Sequence, residues 1–391
     1  MNTIKSKENY FLSQPHQPFF VLGVINAIVM MLIFALSYKS VVNLSIDTLT
    51  FHVYSLIYLV FTNVFSGFLF TTFPKFNQAQ LISKKYYTRL FFSQLIGTVL
   101  FLAGAFTTLS LVLVAMSILF ISQLFIVLKL REIYKSGLAS DKSDSYWILG
   151  ANYFGLLANL LFIFSLFIPS ILSTAINISF YLYIIFLAFS VGQRMIPFFS
   201  HSFAVKNENF VKIIAILFLL KTTFSILDIK LVEIIIDLIL ATYFTYEFLR
   251  WKLNPFHSPS ILWVLHLALF WLPMAFLLSA ITLSAELFLD TSFYYLNIHL
   301  LAIGFLTTLL IGFGTRVTLG HAGQSPNADR FVTAIFISVQ FVVLLRALFS
   351  LNVAFGWNLN FLFDISFTSW MVLFLAWTLR YFKVLAFGSK V

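Results

Sequence analysis

Long apolar runs alternate with short polar connections along the whole chain. Each of twelve runs has roughly 17–25 residues, enough to cross a bilayer as a helix. They fall near 18–38, 50–73, 89–106, 108–128, 146–168, 172–193, 209–226, 230–249, 260–281, 293–313, 329–350 and 360–384. The pattern predicts an all-α, polytopic transmembrane helical bundle of about twelve spans, with residues 1–391 forming a single transmembrane domain.

Composition agrees with a membrane protein whose main surroundings are lipid. Hydrophobic residues make up 61% of the chain and charged residues 10%, a balance that would aggregate in water. The net charge of +10 does not indicate nucleic-acid binding, because the basic residues lie in short segments between apolar runs. The first run lacks a small-residue cleavage site and is too long for a signal-peptide core, so we expect it to remain as a span.

Basic residues are distributed unequally between the two faces of the predicted bundle. When the spans alternate in direction, twenty of the 24 Lys and Arg residues fall on the side of both termini, and only Lys39 and Lys230 on the other. The positive-inside rule therefore places both termini in the cytoplasm. A faint echo between His16–Phe20 and Pro197–His201 suggests two six-helix halves, about 1–205 and 206–391.

Any metal or haem must rely on His, Met, Tyr or carboxylate ligands, because the chain has no cysteine. His52 and His299 lie in the outer halves of the second and tenth spans, and we expect them to face the interior and approach one another. His257 and His266 are interpreted as structural. Two interpretations of His52 and His299 stay open: they form a cofactor site, or they are histidines that hydrogen-bond between helices.

A second polar group is expected at the cytoplasmic ends of the spans. His16, His201 and His321 are predicted to converge there with Arg194 and Arg316 into one pocket. Nearby prolines, and four glycines between residues 312 and 323, predict irregular helix ends or close backbone approach. The three imidazoles suit copper, and the two guanidinium groups suit an anion. The alternative to a cofactor pocket is a cluster of Arg and His side chains that contacts lipid headgroups.

Charged residues inside the predicted spans have a structural explanation. Lys221 faces Glu233 and Asp237 across a tight hairpin, and we expect them to neutralise each other. Arg346 and Asp364 stand in the same relation in the last hairpin. The functional alternatives are a proton relay for the first set and a propionate anchor for Arg346.

Four segments resemble the NnrS family of bacterial membrane proteins. They are the entry His16–Phe20, the second span from His52 to Pro74, the segment Arg194–Phe199 and the stretch His299–His321. The resemblance implies twelve helices in the bacterial inner membrane, haem b and copper as cofactors, and a role against nitric-oxide stress. The residues that it makes candidates for cofactor binding are His52, His299, Arg194 and Arg316. The candidate metal ligands are five histidines: His16, His52, His201, His299 and His321.

The second span departs from the family pattern, which usually opens Trp-His-x-His-Glu-Met. Phe51 replaces the Trp, Tyr54 the second His and Ser55 the Glu. If that second His or the Glu is a ligand or a proton carrier in relatives, the replacements imply that this chain has a lost or modified metal site.

Three functions stay open from the sequence. The first is a haem-binding protein of the NnrS type, which binds nitric oxide or performs redox chemistry on it. The second is a secondary transporter, and the third a cofactor-handling factor without turnover. No nucleotide-binding loop or Ser-His-Asp arrangement indicates another enzyme class.

The charge distribution predicts where a reporter at the end of the chain will lie. A cytoplasmic reporter fused after Val391 should be active, and one that requires the periplasm should be silent, because an even number of spans returns the chain to its starting side. Activity of the periplasmic reporter alone would overturn this topology.

Overall fold

A computed structural model describes residues 10–254 and 257–389, and within these ranges it contains twelve long helices and no strand. The helices are α1 His16–Tyr38, α2 Thr48–Phe76, α3 Lys84–Phe106, α4 Leu109–Ser136, α5 Ser143–Ser165, α6 Pro169–Phe199, α7 Phe210–Ile226, α8 Lys230–Arg250, α9 Ser260–Leu289, α10 Leu296–His321, α11 Arg330–Phe355 and α12 Phe361–Phe387. The predicted all-α architecture is confirmed, and each predicted span coincides with one helix.

Ten of these helices are long and apolar enough to cross a membrane. The other two are α7, which has 17 residues, and α8, which carries Glu233, Asp237 and Glu247. The structure thus supports a multi-pass membrane protein. The number of crossings and the side of the termini stay predictions.

Local chemistry sets several helix ends. The side chains of Asp47 and Asp329 accept hydrogen bonds from the backbone N–H groups of Thr50 (3.0 Å) and Val332 (2.8 Å), which caps α2 and α11. Helix α11 ends at Gly356, whose φ of 63° is readily adopted only without a Cβ.

Three helices contain a π-helical stretch: α2 at Ser55–Phe61, α6 at Ile178–Ile185 and α10 at Leu300–Thr307. The wider turn removes regular hydrogen bonds. Thr62 and Thr307 compensate in α2 and α10, each donating its hydroxyl to the carbonyl oxygen five residues earlier at 2.8 Å. The stretches recur at every fourth helix, a pattern that the hydropathy of the sequence does not reveal.

The glycine-rich end of α10 stays helical. The prediction of irregular backbone is wrong here, because regular α-helix continues through Gly312 and Gly320 to His321. Helix also continues through Pro197 in α6. The expected close approach does occur at Gly312, where an added Cβ would lie 2.7 Å from Leu265 Cδ2.

The described residues form two compact units. The first holds residues 10–149, 317–325 and 374–389, and the second holds 150–254, 257–316 and 326–373. In the first, α2 is almost entirely buried and packs closely against α1. In the second, α8 and α9 pack together around an aromatic core that includes Phe218, Phe244 and Phe276. The predicted six-helix halves stay a prediction.

Gly67 lets α2 approach the first turn of α1. A Cβ at this position would lie 2.8 Å from Phe19 Cβ and 3.1 Å from His16 Cα. Neither atom can move away by a side-chain rotation. The missing side chain at Gly67 therefore helps to set the position of His16.

Replacing Gly67 by Ala should lower the stability of the protein in detergent, because the new methyl group overlaps α1. Overpacking of this kind costs about 1–3 kcal/mol, which exceeds the gain in helix propensity of about 1 kcal/mol. The matched control is Gly150→Ala in α5, where an added Cβ meets nothing within 4 Å. Equal unfolding temperatures for the two variants would contradict this account of Gly67.

Candidate functional site

His16 and His321 lie together in the first unit. Their ring centroids are 4.8 Å apart, although the residues begin α1 and end α10. His16 is only 2% exposed, and its Nδ1 atom is buried without a hydrogen-bond partner. This arrangement presents two imidazoles that the tertiary fold alone brings together.

The protonation of His321 follows from its contact with the helix. Its Nδ1 lies 3.0 Å from the carbonyl oxygen of Val317. A carbonyl oxygen only accepts, so Nδ1 carries the hydrogen and Nε2 keeps its lone pair in the neutral ring. Metal-bound histidines are typically oriented in this way.

His299 has the same arrangement in the second unit. Its Nδ1 donates to the carbonyl oxygen of Tyr295 at 2.8 Å, again four residues earlier, which leaves Nε2 as the available ligand atom. The residue directly precedes the π-helical stretch of α10. Such stretches are frequent at functional sites.

His52 lies in the first unit, near the start of α2. Its ring stacks on Phe34 of α1, with centroids 3.8 Å apart and planes inclined by 25°. The ring is half-buried. Because His52 and His299 belong to different units, the approach expected between them stays a prediction.

Tyr54 and Ser55, which replace the polar pair of the family pattern, are both fully buried. The Tyr54 ring packs against Phe101 at 5.3 Å and against Tyr58 at 4.8 Å. The Ser55 hydroxyl donates to the carbonyl oxygen of His52 at 3.1 Å. In this chain an aromatic cluster therefore occupies the position of the second histidine.

The remaining predicted residues lie in the second unit. The Arg316 guanidinium carbon lies 3.9 Å from the ring centre of Phe199, a cation–π contact at the end of α6. Arg194 is half-buried one turn earlier on α6. His201 is exposed just beyond the helix, with φ of 49°. The structure thus pairs His16 with His321, whereas convergence of the whole set stays a prediction.

Within residues 10–254 and 257–389, no three or more His, Asp or Glu side chains are grouped so that they could hold a metal ion.

Lys221 contacts both acids that the sequence places across the hairpin. Its Nζ lies 2.8 Å from Asp237 Oδ2 and 3.0 Å from Glu233 Oε2, which confirms the predicted contact but sets one ammonium group against two carboxylates. The sequence did not predict that Ser279 and Asn297 extend this cluster. The Ser279 hydroxyl donates to Asp237 Oδ2 at 2.6 Å and lies 3.2 Å from Asn297 Nδ2.

A cavity of about 350 Å³ lies beside His266, and the sequence did not predict it. The imidazole Nε2 lies 2.6 Å from the Ser200 hydroxyl, a contact that agrees with the structural interpretation of this histidine. The described lining residues include Ser200, His201, Ser202, Arg250, Trp251, Lys252 and Asn254. These residues come from two separate segments, around 200–204 and 250–254, and no periodic pattern in the sequence connects the two segments.

The sequence as a whole places these residues in a known family. No curated protein sequence matches the chain significantly. The family model described as NnrS protein matches residues 10–387, which is nearly the whole chain and includes every candidate residue above. The chain therefore belongs to the NnrS family.

Proposed function

We propose that this protein is a haem-binding protein of the bacterial inner membrane that counters nitric oxide, by binding it or by redox chemistry. One observation carries the proposal: His299 and His321 each donate Nδ1–H to a carbonyl oxygen four residues earlier in their helix. Both imidazoles therefore present a lone pair on Nε2 in a fixed direction. Imidazole is a common axial ligand of haem iron and a good ligand for copper.

Haem b is the expected principal cofactor, with His52 and His299 as its ligands. Both residues precede a π-helical stretch, in α2 and α10 respectively. The flat Phe34 ring stacked on His52 is an apolar surface that suits a porphyrin. When bound, haem would supply iron for redox chemistry, or for binding nitric oxide in place of one of the two imidazoles.

Arg316 and Arg194 are the expected partners of the haem propionates. The cation–π contact holds the Arg316 guanidinium against Phe199 and leaves its N–H groups directed outward in the guanidinium plane. Two parallel hydrogen bonds from such a group match the geometry of a carboxylate.

Copper is the second metal that we propose, at His16 and His321. Nδ1 of His16 is a buried donor or acceptor without a partner, which a metal ligand bond would satisfy. His201 is the candidate for a third imidazole ligand. Copper accepts imidazole ligands readily, so the two histidines suit it better than they suit magnesium or calcium.

The haem proposal predicts a Soret band in the visible absorption spectrum of the purified protein. His52→Ala and His299→Ala should each remove or shift this band, because each variant loses one of the two imidazoles that would hold the haem. The matched control is His257→Ala, which changes an exposed histidine beyond α8 and should leave the spectrum unchanged. A colourless protein would favour the transporter, and unchanged spectra in both variants would exclude this pair.

The copper proposal predicts that His16→Ala and His321→Ala each lower the bound copper to less than half of its original occupancy. The reason is that one imidazole alone binds the ion far more weakly than two. Copper is measured by elemental analysis in each folded variant, with His201→Ala to test the third ligand and His257→Ala as control. Full copper and haem content in His16→Ala, His201→Ala and His321→Ala would show that these three histidines hold no cofactor.

A further inference from the structure

The second unit buries two acidic side chains against one basic side chain. Lys221 is 1% exposed, Glu233 is 6% exposed and Asp237 is fully buried. One ammonium group can neutralise one carboxylate only. If both acids were ionised, the cluster would carry an uncompensated negative charge among apolar helices, which is strongly unfavourable.

The two oxygens of Asp237 are in different surroundings. Oδ2 accepts from Lys221 Nζ at 2.8 Å and from the Ser279 hydroxyl at 2.6 Å. Oδ1 is buried and has no hydrogen-bond partner. An ionised carboxylate would have to leave half of its charge unsolvated at Oδ1. A proton on this carboxyl group would remove both that charge and the surplus of the cluster.

Within residues 10–254 and 257–389, the other helices packed around Asp237 place no second cation in contact with its carboxylate. Helix α6 contributes Tyr181, whose ring centre lies 5.9 Å from Lys221 Nζ. Helices α9 and α10 contribute the neutral groups of Ser279 and Asn297. Lys230 of α8 lies 2.9 Å from Glu286 and also interacts electrostatically with Asp228 and Glu233, so its one positive charge is shared among three carboxylates and the surplus negative charge remains.

A metal ion fits this cluster less well than a proton does. The Lys221 ammonium group already lies against both carboxylates and would repel a second cation. Within residues 10–254 and 257–389, the side chains of this cluster are not grouped so that they could hold a metal ion. A proton needs no coordination shell, and one carboxyl group suffices to bind it.

We propose that Asp237 is a proton-binding residue, whose carboxylate takes up one proton to form a carboxylic acid and releases it again. Ser279 is a positioning residue: its hydroxyl donates to Oδ2, and the Asn297 side chain donates to that hydroxyl. Lys221 stays paired with Glu233 in the protonated state. No candidate cofactor residue belongs to the site, and Asn297 lies two residues before His299 on α10.

Infrared difference spectroscopy of the full chain tests this site directly. The carbonyl stretch of a protonated carboxylic acid is separate from that of a carboxylate, and it shifts when the sample is moved to deuterated water. Wild type should show this band in neutral buffer and lose it in strongly alkaline buffer. Asp237→Asn should lose the band, because the amide replaces the acid at nearly the same volume.

Three further variants identify the residue that carries the proton. Glu286→Gln is the matched control, since it removes a partly exposed acid that is paired with Lys230, and it should keep the band. Ser279→Ala should shift the band, because one hydrogen bond to the carboxyl group is lost. Asp237→Glu retains an acid and should also shift the band, which keeps the test available if Asp237→Asn fails to fold.

The opposite results are equally clear. Absence of the protonated-acid band from wild type in neutral buffer would overturn the proposal. A band that persists in Asp237→Asn but disappears in Glu233→Gln would place the proton on Glu233 and overturn the assignment to Asp237. A band that Asp237→Glu leaves unchanged would do the same.

Discussion

Polar groups inside a bilayer have no water to bind, so each must find its partner within the protein. This constraint explains why the described chain is helical almost throughout, since a helix satisfies its own backbone. It also explains where the helices deviate. At the π-helical stretches the hydroxyl groups of Thr62 and Thr307 take the carbonyl oxygens that the wider turn leaves open. His299 and His321 use helical carbonyl oxygens in the same way, and the cofactor proposal depends on that contact.

The same constraint acts more strongly on charges. Lys221, Glu233 and Asp237 are tolerated because they lie within hydrogen-bonding distance of one another. Burying such a group gives little stability by comparison with a well-packed apolar side chain, so its presence is weak evidence for a purely structural role. The unequal charge of the cluster and the unpartnered oxygen of Asp237 point to chemistry rather than to packing.

Membership of the NnrS family does not determine every residue of the site. The histidines at both ends of the resemblance are present, and the structure brings His16 against His321. Around His52 the chain differs from the family pattern, and Tyr54 joins a buried aromatic cluster with Tyr58 and Phe101. At position 54 the aromatic packing of Tyr54 therefore takes the place of the family's second histidine, whereas His52 itself is retained.

The sequence by itself determined the helices, because hydrophobic runs of membrane length are a local property that needs no knowledge of distant contacts. It also predicted the pairing of Lys221 with Asp237, since α7 and α8 are joined by a short turn that leaves few alternatives. The sequence predicted convergence of His16, His201 and His321, and the tertiary structure shows the contact between His16 and His321. Only the tertiary structure decided that Ser279 and Asn297 extend the acidic cluster and that π-helical stretches recur in α2, α6 and α10. These features depend on which helices pack together and at what depth, and a pattern of apolar residues specifies neither.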